Sequence, residues 1–191
     1  MNRMNKKLMA VAIAVAALGS LSCGSELTDN AAPVELVVTN DQTLRIIDVG
    51  PTTDADCDGP IGTINMQVIS KRASDTASSP LAQVRVNRYR VSYRRTDGGT
   101  LVPESFVRSI DTLIGVGATA GSTFTILEAD VFLRAPFVAL QPQNGGRDPE
   151  TGRPLVKFEV VVEVFGETLG GVNVADSTTF PLDFCYGCGC D

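Results

Sequence analysis

The sequence contains no histidine and no tryptophan among its 191 residues. Without histidine the chain cannot build a Ser-His-Asp or Cys-His catalytic arrangement from its own residues, and it cannot bind a metal ion through imidazole. The sequence also has no glycine-rich phosphate loop between a strand and a helix, and no spacing of carboxylates that is typical of glycoside cleavage. We therefore predict that the protein is not an enzyme.

The sequence also has few long apolar runs and no excess of positive charge. Residues 8–18 form one uncharged apolar run, which is shorter than the stretch of about 20 residues that crosses a bilayer. Residues 1–22 hold three of the 16 basic residues and none of the 22 acidic ones, so 13 basic and 22 acidic residues remain, with a net charge of −9. This acidic balance predicts no general binding to nucleic acid or to anionic lipid.

The first 23 residues have the order of an export signal. Arg3, Lys6 and Lys7 form a positive region, residues 8–18 are apolar, and small residues lead to Ser22 and Cys23. This order resembles the signal peptide of bacterial lipoproteins, in which a small residue precedes a cysteine that becomes the acylated mature N-terminus. The alternative is ordinary secretion, with cleavage near Ser22 and a free cysteine.

The resemblance implies lipidation of Cys23 and anchoring in the bacterial cell envelope through that lipid. Gly24 follows the cysteine and favours the outer membrane, because retention at the inner membrane of enteric bacteria usually needs Asp there. We divide the chain accordingly into a signal peptide (1–22), Cys23 with a tether (23–33), a folded domain (34–184) and a cysteine-rich tail (185–191). The 169 residues that remain after cleavage are enough for one domain.

The longest strand pattern covers residues 83–99 and ends in an Asp-Gly turn. Its second half alternates apolar and polar residues, but the two valines of its first half have the opposite parity. A bulge near residues 87–88 would place all five apolar side chains on one buried face: Val84, Val86, Tyr89, Val91 and Tyr93.

Shorter strand patterns fill most of the remaining chain. They cover residues 34–40, 44–49, 61–71, 100–103, 123–133, 155–165, 172–175 and 178–184. Residues 104–122 suggest a turn or two of helix followed by a flexible stretch. Seven to nine short strands without an amphipathic helix predict an all-β, immunoglobulin-like antiparallel β-sandwich, although the Cys-Trp-Cys pattern of antibody domains is absent.

Two stretches, residues 88–103 (RYRVSYRRTDGGTLVP) and residues 162–188 (VEVFGETLGGVNVADSTTFPLDFCYGC), carry a second resemblance. They are similar to segments of uncharacterised envelope lipoproteins of environmental Gram-negative bacteria. The resemblance implies an envelope lipoprotein with an immunoglobulin-like domain. It implies no particular activity, because these families have none assigned.

An acidic loop supplies the one candidate for a metal site made of oxygen ligands. Asp54, Asp56 and Asp58 occupy alternate positions and are followed by Gly59, as in the first half of a calcium-binding loop. The twelfth position is Asn65, where an EF-hand has a bidentate glutamate. The sequence therefore leaves two interpretations open, a calcium site and a solvated acidic turn.

An arginine-rich strand supplies the candidate binding surface. Arg88, Arg90 and Arg94, together with Arg85 and Arg95, lie within eleven positions of the longest strand pattern. Most such runs are solvated strand faces that pair with acidic residues across the sheet, and that is the favoured interpretation. The functional alternative is a platform for an anionic polysaccharide or an envelope protein.

Four cysteines remain after Cys23. In an exported protein, Cys57, Cys185, Cys188 and Cys190 predict two disulfides. A bond between Cys188 and Cys190 would close a strained ring, so we expect Cys57 to pair with Cys188 or Cys190 and Cys185 to pair with the other. The alternative is a reduced cluster that binds a metal or exchanges disulfides.

Together these patterns predict a non-catalytic exported lipoprotein that serves as a binding or assembly module of the envelope. The alternative function is a periplasmic metal-binding or thiol-redox protein that uses the C-terminal cysteines.

Overall fold

The computed structural model describes residues 32–40, 45–50, 61–72 and 79–188. These residues form an all-β fold of eight strands with four short 3-10 helices between them. In the described part of the chain, no helix has the length and apolar character needed to cross a membrane. The strands are β1 Val34–Thr39, β2 Arg45–Asp48, β3 Ile61–Ser70, β4 Val84–Arg95, β5 Phe106–Ile114, β6 Thr119–Thr125, β7 Leu155–Thr168 and β8 Asn173–Cys185.

The strands form two sheets with the orders β1-β3-β6 and β2-β8-β7-β4-β5. One buried cluster combines side chains from both sheets, so the sheets pack in a sandwich-like arrangement. Five of the six strand pairings that form these sheets are antiparallel, but β2 pairs parallel to β8. The expectation of a purely antiparallel fold is therefore wrong for β2, because this strand reaches the sheet from the other side of the sandwich rather than through a hairpin.

The bulge predicted in β4 is confirmed. The register of β4 shifts between Val86 and Arg88 against both neighbouring strands. Gly166 lies opposite on β7, and a side chain there would meet the carbonyl oxygen of Arg85 at 2.8 Å. The bulge therefore needs a glycine beside it, and it brings apolar residues of both halves of β4 to the core: Val84, Val86, Tyr89 and Val91 are buried, and Tyr93 is partly buried.

The strand β5 and the first four residues of β6 occupy positions for which the sequence predicted a helical turn and a flexible stretch. The strand β5 is an edge strand, and its exposed positions include Val107 and Leu113. Because apolar residues lie on both of its faces, the alternation that marks a half-buried strand is missing. The turn to β6 contains Gly117 with a φ of +81°, a conformation that glycine adopts without strain.

Two further strand predictions differ from the structure. Residues 100–103 are not a strand, because their backbone N–H groups at Thr100 and Leu101 bond to the carboxylate of Glu150. The strand pattern of residues 123–133 ends at Thr125 and continues as a 3-10 helix, Ala129–Leu133. A second 3-10 helix, Phe137–Leu140, places Phe137 fully in the core.

The strand registers define two ends of the sandwich. The N-terminal pole contains residues 32–34, 70–72, 79–84, 114–119 and 168–173, where the described part of the chain begins. The distal pole contains residues 48–50, 61, 95–106, 125–155 and 185–188. Ala32 is 3% exposed, so the packed core already includes the chain at this residue.

Candidate functional site

The arginines predicted to bind a partner lie on the outer face of the five-stranded sheet. Arg90 pairs with Glu163 and Arg94 pairs with Glu159, both across the β4–β7 ladder. The guanidinium carbon of Arg88 lies 4.8 Å from the centre of the Phe165 ring.

The same outer face carries further opposite-charge pairs. Arg85 lies 3.3 Å from Asp111 of β5, and Lys157 lies 2.8 Å from Asp183 of β8. Positive and negative side chains therefore alternate across neighbouring strands. This arrangement fits the favoured interpretation of a solvated, cross-paired face, and binding through Arg88, Arg90 and Arg94 stays a prediction.

Arg95 has a different environment from the arginines before it. After the bulge, Arg95 has the same parity as Tyr89, Val91 and Tyr93, so it points inward at the end of β4. Its side chain is only 1% exposed, and its guanidinium carbon lies 5.5 Å from the ring centre of Phe158. A buried guanidinium needs acceptors for its five N–H groups.

Asp97 supplies two of these acceptors. Its carboxylate oxygens accept hydrogen bonds from Nε and Nη2 of Arg95 at 2.7 and 2.9 Å, which is the bidentate geometry of strong Arg–carboxylate pairs. The backbone N–H groups of Gly99 and Lys157 also donate to Asp97, at 3.2 and 3.0 Å. Asp97 therefore joins the end of β4, the following turn and the start of β7.

Asp148 comes from the long segment between β6 and β7. Its Oδ2 accepts hydrogen bonds from Arg95 Nη2 at 2.8 Å, from the Thr151 hydroxyl at 2.7 Å and from the Thr151 N–H at 3.0 Å. Asp148 is 0% exposed, and its Oδ1 has no hydrogen-bond partner in the described part of the chain.

Glu150 completes what we call the Arg95 cluster, which is Arg95, Asp97, Asp148 and Glu150. Its carboxylate lies 3.5 Å from Arg95 Nη1 and accepts the N–H groups of Thr100 and Leu101 at 2.7 and 2.8 Å. The cluster thus holds the β4–β5 loop against the loop before β7, at the distal pole.

The cluster changes the acidity of its members. Burial by itself would raise the pKa of Asp97, but hydrogen bonds from Arg95 and from the Lys157 and Gly99 N–H groups lower that pKa to about 2. Burial also opposes ionisation of Asp148, and Arg95 and Thr151 more than offset it, so the pKa of Asp148 lies below its usual value. Hydrogen bonds from Leu101 and Thr100 lower the pKa of Glu150. The cluster is therefore fully ionised at neutral pH.

The sequence contains one signal for this site, although Arg95 was not among the arginines predicted to bind a partner. Arg95 follows the buried parity of β4, and Asp97 is only two residues away, in a turn that contains Gly98 with a φ of +96°. At Gly99 a side chain would come within 2.4 Å of the Arg95 guanidinium. In contrast, no local sequence pattern predicts that Asp148 and Glu150 contact Arg95, because they lie 53 and 55 residues after it in the sequence.

The C-terminal cysteines form one crosslink in the described residues. Cys185 and Cys188 are joined by a disulfide, with their Cα atoms 6.0 Å apart. This bond belongs to one of the two pairing schemes that the sequence left open, the scheme in which Cys57 would pair with Cys190. The N–H of Gly187, within this small ring, donates to Asp48 Oδ1 at 2.9 Å, and so does the N–H of Gly50 at 2.7 Å.

Several predicted site residues lie outside the described residues. They are the lipidation site Cys23, the calcium candidates Asp54, Asp56 and Asp58, and the cysteines Cys57 and Cys190. Among residues 32–40, 45–50, 61–72 and 79–188, no group of three or more acidic or cysteine side chains is arranged to hold a metal ion. The Arg95 cluster is accordingly a set of ion pairs around a guanidinium.

Two comparisons, with protein-family models and with curated proteins, found no match: no protein-family model matches the sequence, and no curated protein matches it either.

Proposed function

We propose that the protein is a bacterial envelope lipoprotein, anchored by an acylated Cys23, whose immunoglobulin-like domain serves as a non-catalytic binding or assembly module. The order of positive region, apolar run and cysteine in residues 1–23 supports the anchor. Two sheets that share one core support the immunoglobulin-like architecture.

The path of the chain supports an orientation of the domain. Ala32, which is already packed in the core, lies nine positions after Cys23 in the sequence. Nine residues extend at most about 30 Å, so an acylated Cys23 would keep the N-terminal pole close to the membrane. The distal pole would then point away from the membrane and be accessible to a partner.

The burial of Arg95 between Asp97 and Asp148 is the observation that best supports a binding function. Loops on a rigid scaffold are where binding residues most often lie. The Arg95 cluster fixes two loops of the distal pole to each other and to the strand ends through several charge-assisted hydrogen bonds. Loops that are ordered before binding lose less entropy when a partner docks, so this pole is suited to recognition.

Fractionation of cells tests the anchor. The Cys23→Ala variant should move from the membrane to the soluble periplasmic fraction, because it loses the only acylation site, whereas the Ser25→Ala control should stay in the membrane. A Cys23→Ala protein that remains in the membrane fraction would rule out this anchor.

Site-specific photo-crosslinking in cells tests the binding surface. A photoreactive residue at the exposed Gln143, in the loops of the distal pole, should give a discrete crosslinked product. The matched control is Val107 on the outer face of the five-stranded sheet, opposite Arg90 in the β4–β5 ladder. A crosslinked product at Val107 and none at Gln143 would show that the partner binds the arginine-bearing face of the sheet and not the distal pole.

Thiol-disulfide exchange is the second candidate function, and the exposure of Cys188 favours it. Attack of a partner thiolate on the Cys188 sulfur would form a mixed disulfide and release the Cys185 thiolate. A reduction potential between about −270 and −120 mV would support exchange, whereas a potential below about −300 mV is typical of a structural disulfide.

A further inference from the structure

A pocket of about 330 Å³ opens at the N-terminal pole, between the ends of the two sheets. Its wall includes the apolar side chains of Val34, Ala82, Val116 and Val172, and none of the described residues that line it is charged. The volume is near the lower end of the range for ligand pockets, about 300 Å³. The pocket therefore suits a short apolar group rather than a charged one.

The mouth of the pocket has an apolar rim. Leu81, one of the residues that line the pocket, is 61% exposed. Leu169, which lies between the lining residues Thr168 and Gly170 in the sequence, is 46% exposed. Their positions are fixed by the backbone, because the N–H of Gly170 donates to the carbonyl oxygen of Leu81 and the N–H of Leu169 donates to that of Gln83, both at 2.9 Å. The exposed side chain of Leu81 therefore extends the apolar surface of the pocket outward.

Three hydroxyl side chains line the pocket: Ser70, Ser79 and Thr168. The Ser70 hydroxyl donates to the carbonyl oxygen of Arg72 at 3.1 Å. The Ser79 hydroxyl oxygen accepts the N–H of Leu81 at 3.2 Å, and the Thr168 hydroxyl oxygen accepts the N–H of Val172 at 3.0 Å. A hydroxyl that accepts one hydrogen bond keeps its own proton as a donor. An apolar ligand with an uncharged acceptor, such as an ester carbonyl, would match this wall.

The chain outside the described residues indicates what the pocket faces. Pro33 lines the pocket and lies ten positions after Cys23 in the sequence. On the proposed function, on which this step rests, the mouth lies within about 30 Å of the membrane surface. Membrane lipid is the apolar material closest to the mouth.

We propose that this pocket binds an acyl chain of a membrane phospholipid, with the ester carbonyl accepting a hydrogen bond from Ser79 or Thr168. Binding would seat the N-terminal pole on the lipid surface. The domain would then have a defined orientation, with the Arg95 cluster directed away from the membrane.

A tryptophan reporter tests the pocket without using the anchor. The Leu81→Trp variant is made in the unlipidated Cys23→Ala chain, which has no other tryptophan. It is titrated with dihexanoylphosphatidylcholine below the concentration at which this lipid forms micelles. We expect a saturable blue shift of the emission and a rise in Tm, because a ligand that binds only the folded state stabilises it.

Matched variants separate pocket binding from other effects. The Leu133→Trp variant carries its reporter at the distal pole, at a position that is 72% exposed, and its emission should not shift. Adding Val116→Phe or Val172→Phe to the reporter variant should fill the pocket and weaken the apparent lipid affinity by at least about tenfold, or 1.4 kcal/mol. Circular dichroism melting identifies which filling variant remains folded.

Three results would overturn the proposal: no saturable response of the Leu81→Trp variant, an equal response of the Leu133→Trp variant, or an unchanged response in a folded filling variant. A blue shift that depends on protein concentration without lipid would instead identify a second copy of the chain as the occupant. Because the tested chain carries no lipid, failure here leaves the anchor to be judged by fractionation alone.

Discussion

The outer face of the five-stranded sheet and the distal pole use the same residue types in opposite ways. On the sheet face, Arg94 pairs with Glu159 while its side chain is 71% exposed. At the distal pole, the next residue, Arg95, is 1% exposed and contacts carboxylates from two loops. Exposed pairs contribute little because water screens them, whereas breaking a buried pair leaves a desolvated charge. The neighbouring residues Arg94 and Arg95 are therefore expected to contribute very differently to the stability of the fold.

Removal of the buried guanidinium should have the largest effect. We expect Arg95→Met to lower the free energy of unfolding by about 3–5 kcal/mol, because Asp97 and Asp148 would remain buried without their cation. The control, Arg94→Met, should cost less than about 1 kcal/mol. Urea denaturation of both variants measures the difference, and equal losses would show that the two regions do not differ as described.

Acid should lower the free energy of unfolding as Asp97 at the distal pole becomes protonated, between about pH 4 and pH 2. The pKa of Asp97 is lowered from 3.8 to about 2, so its ionised form stabilises the fold above about pH 4, and this contribution is lost as the pH falls toward 2. The loss should amount to about 2 kcal/mol, at 1.4 kcal/mol per pKa unit.

The Arg95→Met variant provides the control for the acid effect. Its stability should change less between pH 4 and 2, because Asp97 no longer has the cation that lowers its pKa. Melting curves across this range measure both proteins, and parallel pH profiles would contradict the assignment to the Arg95 cluster.

The disulfide between Cys185 and Cys188 at the distal pole should contribute less to the free energy of unfolding than the Arg95 cluster does. Replacing both Cys185 and Cys188 with Ala should cost about 2 kcal/mol, since the chain-entropy estimate is small for a short ring. Calorimetry of the exported protein measures the change. Peptide mapping without reductant should find Cys185 bonded to Cys188 and Cys57 bonded to Cys190, and free thiols at Cys185 and Cys188 would contradict the crosslink.

The smallest effect on stability is expected for the exposed ion pair between Arg94 and Glu159 on the outer face of the five-stranded sheet. A double-mutant cycle with Arg94→Ala and Glu159→Ala should give a coupling energy of about 0.2–1 kcal/mol, and this value should fall when salt is added. A coupling above about 2 kcal/mol, unaffected by salt, would place this pair with the buried ones.

The sequence alone was sufficient to identify the strongest strands and the bulge in β4. Both depend on the period-two alternation of side chains, which is local in the chain and needs no partner to be recognised. Its limit is seen in β5, where apolar residues lie on both faces of an edge strand. Strand β8 is another case, because the sequence pattern splits into two segments where the structure has one continuous strand.

The tertiary structure alone decided the composition of the candidate site. The inward position of Arg95 follows from the parity of β4, but its partners Asp148 and Glu150 come from a loop more than 50 residues later in the sequence. The parallel pairing of β2 and the pocket at the N-terminal pole also depend on how separate segments meet. Local alternation determines which face of a strand is buried, whereas the partners of a buried charge are determined by the packing of distant loops.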